Sequence, residues 1–227
     1  MQQIYLLSGL GADQRVFGRL NLPETEMKVL LWETPSPGET MQDYAKRFLP
    51  EITSPNPIII GLSFGGMMAL EISKLIPGAR VILISSVPGP SQYPWWMIVL
   101  KYIRAEKFLP KKQFSSYRFF RMFRPVQNYF LGVETAAEKR MANEFRETVD
   151  PLYMNWAIKQ VLHWKMDSKP ETLYHIHGGR DHIFPLRNIH PTHCIKTGGH
   201  FMVWNRAEEV SKCLREIIFQ LGRENNC

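Results

Sequence analysis

Cysteine is scarce. The chain has three among 227 residues, Cys194, Cys213 and Cys227, odd in number and unevenly spaced. That pattern argues against a disulfide framework and suits a reducing compartment. Long hydrophobic runs are also missing: no stretch approaches the roughly 18 apolar residues of a membrane span. The N-terminal apolar run is short, with no basic region before it and no small-residue cleavage site after it, so it does not read as a signal peptide. The expectation is a cytoplasmic protein without a membrane span. Aspartate is rare, at five residues, which later narrows the choice of a functional carboxylate. Nothing in the sequence sets the oligomeric state.

Charge is nearly balanced except in one window. The net charge is +7. Lys101, Arg104, Lys107, Lys111, Lys112, Arg118, Arg121 and Arg124 stand against Glu106 between Tyr93 and Pro125, so this window carries the whole excess. No nucleic-acid motif accompanies it, which excludes that partner class from the reading. The run reads as a solvated helix face, with the alternative that a few members line an entrance and attract an anionic substrate.

What the chain does have is enough apolar material, 44%, for a core that needs no metal or disulfide. Short apolar runs at 2–7, 27–32, 57–63 and 80–86 read as strands. Between them, Asp13 can cap a short helix at QRVF, Thr40 and Asp43 form the ends of a capping box, and Gly65 to Leu75 reads as a helix stopping before Pro77. Alternating strands and helices predict a parallel sheet covered on both faces. The alternation stops at Val87. Residues 88–166 are aromatic and basic, with helical spacing at 134–147 and 154–164 and no convincing strand. Strand patterns return at 172–178 and 192–198, before a last helix from about Arg206 to Leu221. The layout is a core of residues 1–87 and 167–227 interrupted by a helical insertion of residues 88–166.

Three sites at strand ends carry chemistry. Gly61-Leu62-Ser63-Phe64-Gly65-Gly66 follows the buried run PIIIGLS and opens a helix. A serine on so sharp a turn needs neighbours two residues away with almost no side chain, and Gly61 and Gly65 meet that need. No Lys-Ser/Thr follows the glycines, so a phosphate loop is excluded. A serine hydroxyl needs a base. Of seven histidines, His200 stands on a glycine-hinged loop beyond the last strand pattern. His163 sits in the helical insertion, His182 follows an aspartate, and His190 and His193 flank Pro191. His175 and His177 share one strand face, a spacing that could ligate a metal but lacks Asp or Cys partners, and they read as core or surface positions. Asp181 follows the strand TLYHIHG directly, whereas Asp13, Asp43, Asp150 and Asp167 read as caps or loop residues.

These three motifs, in the order Ser63, Asp181, His200, resemble the α/β-hydrolase fold superfamily. The resemblance spans nearly the whole chain. It implies a mostly parallel sheet of about six strands, starting at the family's third strand, with helices on both faces and a helical lid entering at 88–166. It also implies a Ser63 nucleophile, a His200 base oriented by Asp181, and an oxyanion hole from the backbone N–H groups of Leu10 and Phe64, with no metal and no organic cofactor. Ser8-Gly9-Leu10 departs from the family's His-Gly pattern in that loop, keeping the glycine and not the histidine. The implied activity is hydrolysis of a small to medium acyl substrate, a carboxylic ester first. Thioester, amide and C–C bond hydrolysis use the same residues, and a non-catalytic ligand receptor is the alternative from another class. Trp95, Trp96, Phe108, Phe114, Phe119, Phe120 and Phe123 are too many for a small exposed layer, so some are expected to wall an apolar pocket.

Overall fold

Ile4 and Leu6 point to one side of the first strand and Tyr5 and Leu7 to the other, and all four are buried. A strand apolar on both sides needs a covering layer on both faces. The computed structural model, which describes residues 2–108 and 122–224, shows that arrangement. Its six strands are β1 (Gln2–Leu7), β2 (Thr25–Leu30), β3 (Ile58–Leu62), β4 (Arg80–Ile84), β5 (Thr172–Gly178) and β6 (His193–Ile195). They lie in the order β2-β1-β3-β4-β5-β6, and every pairing is parallel.

On one face, Tyr5, Leu7, Ile59, Val81 and Leu83 pack with α1 (Met41–Lys46) and α2 (Phe64–Ser73). On the other, Ile4, Leu6, Ile60, Ile82, Ile84 and Ile176 meet α7 (Met202–Asn205) and α8 (Ala207–Glu224). Helix α8 does this with Val210, Leu214, Ile217 and Leu221, an apolar stripe at helical spacing. The insertion between β4 and β5 holds α3 (Trp95–Tyr102), α4 (Arg124–Leu131), α5 (Ala136–Thr148) and α6 (Pro151–His163), and no strand among its described residues. Thr135 and Glu138 close a capping box on α5, and the Asp150 carboxylate accepts from Leu152 N–H to start α6. An aromatic cluster holds α6 to the core: Tyr44 lies 4.6 Å from Trp156, and Trp32 stacks on Phe64 at 5.2 Å. Among the described residues no helix is long and apolar enough to cross a membrane.

Several boundaries differ from the sequence expectation. Strand β2 starts two residues earlier and ends at Leu30, because its six residues pair one for one with Gln2–Leu7. Leu31, beyond that ladder, is exposed. Helix α1 ends at Lys46, and a short 3₁₀ turn, Leu49–Glu51, follows around Pro50. Of the basic window, Lys101, Arg104 and Lys107 are exposed and Arg124 is half-buried. Lys111, Lys112, Arg118 and Arg121, with Phe114, Phe119 and Phe120, lie outside the described residues.

The strand order places the site. From β1 the chain steps to β2 on one side, then crosses β1 to β3 and proceeds outward on the other. The direction of winding therefore reverses between β1 and β3. A crevice opens at the carboxyl ends of the strands at such a reversal. Gly9 follows β1 there, and Ser63 follows β3.

Candidate active site

Ser63 lies between the end of β3 and the first residue of α2, with φ 51° and ψ −115°. A non-glycine residue at positive φ carries strain of about 1–3 kcal/mol. Its surroundings hold it there. Ser63 N–H donates to Ile84 O at 2.9 Å, and its own carbonyl accepts from Gly66 N–H at 2.9 Å and from Ser86 Oγ at 2.6 Å. A Cβ on Gly61 would overlap the Gly65 carbonyl, and one on Gly65 would overlap the carbonyls of Leu7 and Ser8. The two glycines thus let the turn close against β1.

His200 comes from the loop between β6 and α7. Arg180 N–H donates to Gly198 O at 2.8 Å and Gly179 N–H to Ile195 O at 2.9 Å, which ties this loop to the turn after β5. Its other side meets the end of α4, where Phe201 N–H donates to Leu131 O at 2.8 Å. Asp181 sits in the turn after β5. Its Oδ1 accepts from the N–H groups of Ile183 and Phe184, both at 2.8 Å. Its Oδ2 faces His200 Nδ1 at 2.8 Å, and His200 Nε2 faces Ser63 Oγ at 3.0 Å. Three residues separated by 137 positions in the chain therefore form one continuous hydrogen-bonded row. Asp181 is 3% exposed and His200 6%. Burial alone pushes the Asp181 carboxyl up. The charge and hydrogen bond of His200 and the Phe184 N–H outweigh it and hold the group below the usual carboxylate range.

The loop after β1 completes the crevice. Gly9, Leu10, Phe64, Ser63 and His200 all line one cavity. Ser8, standing where the resemblance implied histidine, donates from Oγ to Ala12 O at 2.7 Å and accepts from Trp32 Nε1 at 3.0 Å. Those two bonds fix the bend that carries Gly9 and Leu10.

A family model described as the alpha/beta hydrolase family matches residues 5–212. The chain belongs to the alpha/beta hydrolase family. Solved structures of similar fold include an esterase from Exiguobacterium antarcticum (TM-score 0.70, 15% identity, 96% of this chain and 92% of that one). A thermophilic esterase from Thermogutta terrifontis follows the same fold (TM-score 0.66, 16% identity, 97% and 90%). So does a type II thioesterase of a yersiniabactin biosynthetic pathway (TM-score 0.57, 14% identity, 98% and 92%). At these identities the likeness is one of fold. No curated protein sequence matches.

In this alpha/beta hydrolase the cavity over Ser63 measures about 790 Å³. That is ample for a medium-sized organic ligand. Its walls are mostly apolar, with Met67, Trp96, Phe130 and Leu162 among them. Trp95, by contrast, is exposed at 67%.

Two histidines read as core or surface positions turn out to brace the site. His175 and His177 are both buried on β5. His177 Nε2 lies 2.8 Å from Phe184 O, so Nε2 carries the proton and donates. His177 Nδ1 is then an acceptor, and it meets His175 Nε2 at 3.1 Å, which must donate. Through Phe184 this row steadies the turn that presents Asp181. The 3.7 Å approach of His177 to Asp181 is a contact of a neutral ring with a carboxylate, because burial lowers the His177 pKa. Burial, with His177 beside it, brings His175 down to about 3.

Both rings are thus neutral when folded and free to protonate when unfolded, near an ordinary pKa of about 6.5. Below that value the unfolded chain binds more protons, so stability falls as pH falls, by up to about 1.4 kcal/mol per pH unit for each ring. The expected result is a lower unfolding free energy in urea at pH 5 than at pH 7.5. His175→Phe should flatten that slope by up to about one proton. Equal stability at the two pH values, or a His175→Phe slope equal to the parent's, would count against burial of neutral rings.

Proposed function

We propose that the protein is a serine hydrolase that cleaves a small to medium acyl substrate, a carboxylic ester first, through an acyl-enzyme. The observation that carries this reading is the Ser63–His200–Asp181 row at the floor of an apolar cavity. Ser63 Oγ attacks the carbonyl while His200 Nε2 takes its proton. Asp181 holds the imidazole with its proton on Nδ1 and stabilises the imidazolium. The N–H groups of Leu10 and Phe64 receive the oxyanion, each such donor contributing on the order of 10²–10³ in rate at comparable sites. His200 then hands the proton to the leaving alcohol, and water, activated by the same imidazole, cleaves the ester of Ser63. This route uses no metal and no organic cofactor.

In this reading residues 1–87 and 167–227 form the catalytic core and residues 88–166 a helical lid that sets substrate choice. Support for the lid is that Trp96 and Leu162 belong to the insertion, Ser63 and His200 to the core, and all four to one cavity.

The test is labelling with a fluorophosphonate, followed by a panel of esters and thioesters of increasing acyl length. The expected results are a single labelled serine, Ser63, and faster cleavage of esters than of thioesters. No labelling together with no hydrolysis of any member would favour a ligand receptor built on the same fold. Faster cleavage of thioesters would keep the nucleophile and move the substrate class.

A further inference from the structure

The cavity above Ser63 is lined, among its described residues, mostly by apolar side chains, with polar groups at Ser63 and His200, at Gln127 and at two arginines. Among its described lining residues the only Lys, Arg, Asp or Glu are Arg124 and Arg146, both cationic. Arg124, on the first turn of α4, has a carboxylate partner, Glu147, at 2.6 Å. Arg146, on α5, has none among the described residues: its guanidinium donates to two neutral amide oxygens, Asn143 Oδ1 at 2.9 Å and Asn128 Oδ1 at 2.8 Å. An arginine stays charged at neutral pH whatever its surroundings in a protein. A half-buried guanidinium bonded only to amides, beside a second guanidinium, leaves positive charge uncompensated. Burial, then the charge of Arg124, brings Arg146 down to about 10, the direction expected of a cation without a counterion.

We propose that Arg124 and Arg146 form an anion-binding subsite in the wall of the cavity, and that the substrate carries a carboxylate or phosphate apart from its scissile carbonyl. The inference rests on the reading of Ser63 as the nucleophile for the substrate's orientation, but the subsite stands on its own residues. A planar guanidinium binds carboxylate and phosphate oxygens in a fork. The apolar walls between Ser63 and the two arginines then take the intervening carbon chain.

Binding measured without turnover separates this inference from the hydrolase reading. Octanoate, octyl phosphate and octanol are titrated into the full chain by calorimetry, with Arg146→Gln, Arg146→Lys and Lys101→Gln variants in parallel. Lys101 is a basic residue of the insertion that does not line the cavity. One or both anions should bind about tenfold or more tighter than octanol, the scale of a hydrogen bond to a charged group. Arg146→Gln should lose that preference, Arg146→Lys keep part of it and Lys101→Gln keep it whole. The ratio of octanoate to octyl phosphate names the anion.

Equal affinity for all three ligands would overturn the proposal. So would an anion preference unchanged in Arg146→Gln, since the anion would then sit at the Ser63 end instead. A loss of preference equal in Lys101→Gln would assign it to general surface charge and also overturn it. Misfolding of Arg146→Gln is detected by its unfolding transition, and Arg146→Met, of similar reach and without charge, then decides: a lost preference with the fold intact supports the subsite, and an unchanged one overturns it. Fluorophosphonate labelling of Ser63 in the parent protein reports separately on the hydrolase reading, so either can fail alone.

Discussion

Ser63→Ala is expected to cut kcat/KM on the best substrate by on the order of 10⁴–10⁶ and to abolish fluorophosphonate labelling, while leaving the unfolding transition in place. The reason lies in what the substitution leaves untouched. Alanine keeps the Cβ and the positive φ of 51° at this position, and the backbone bonds from Ser63 N–H to Ile84 and from Gly66 to the residue's carbonyl remain. Only Oγ is lost, and with it the 3.0 Å contact to His200. Catalysis by residues that act as a unit collapses when any one is removed, and what survives comes from the oxyanion donors and binding alone. Retention of more than a few per cent of turnover would mean that another group attacks the substrate.

Asp181→Asn is expected to lower turnover by roughly 10⁴ with little change in fold. The geometry decides how the amide lies. Two backbone N–H groups, from Ile183 and Phe184, point at Oδ1, so the amide oxygen must stay there. The NH₂ then faces His200 Nδ1 and donates to it. That forces the imidazole proton onto Nε2, the nitrogen that has to accept from Ser63. Stability should change far less than rate, because both N–H bonds persist. Turnover close to normal would assign the orienting acid elsewhere. The two remaining candidates have other partners: Asp150 caps α6 and accepts from Thr34, and Asp167 pairs with Lys74.

How far the sequence carries the reader depends on how local each signal is. Strands β3, β4 and β5 are legible to within about two residues, since they are buried runs bounded by turn residues. Strand β2 is displaced because Leu31 and Trp32 look like its continuation. Leu31 is in fact exposed, and Trp32 turns away to stack on Phe64 and to donate to Ser8. Strand β6 shrinks to three residues because only Ile176 to Gly178 offer it partners. The residues proposed as catalytic stand out because each lies just beyond a strand pattern in a glycine-rich setting. His177 does not, because its bond to Phe184 closes a loop seven residues long that no periodicity reveals. Its one signal is alternation with His175 immediately ahead of Asp181. Arg146 is hidden more completely: in a helix rich in charged residues it looks like any solvated arginine, and only the packing of α5 shows that it borders the cavity.

The close approach of Gly132 and Gly199 adds a second tie between the end of α4 and the loop bearing His200, beside the bond from Phe201 N–H to Leu131 O. A Cβ on either glycine would sit 3.1 Å from the other's Cα, and Asn205 Nδ2 donates to Gly132 O at 3.0 Å beside them. The end of α4 and the loop bearing His200 are therefore clamped backbone to backbone. A swing of the insertion about this point would leave the imidazole where it is. A swing that lifted this point would drag the imidazole away from Ser63. Should the insertion move as the proposed lid, the position of the imidazole is tied to it at this end.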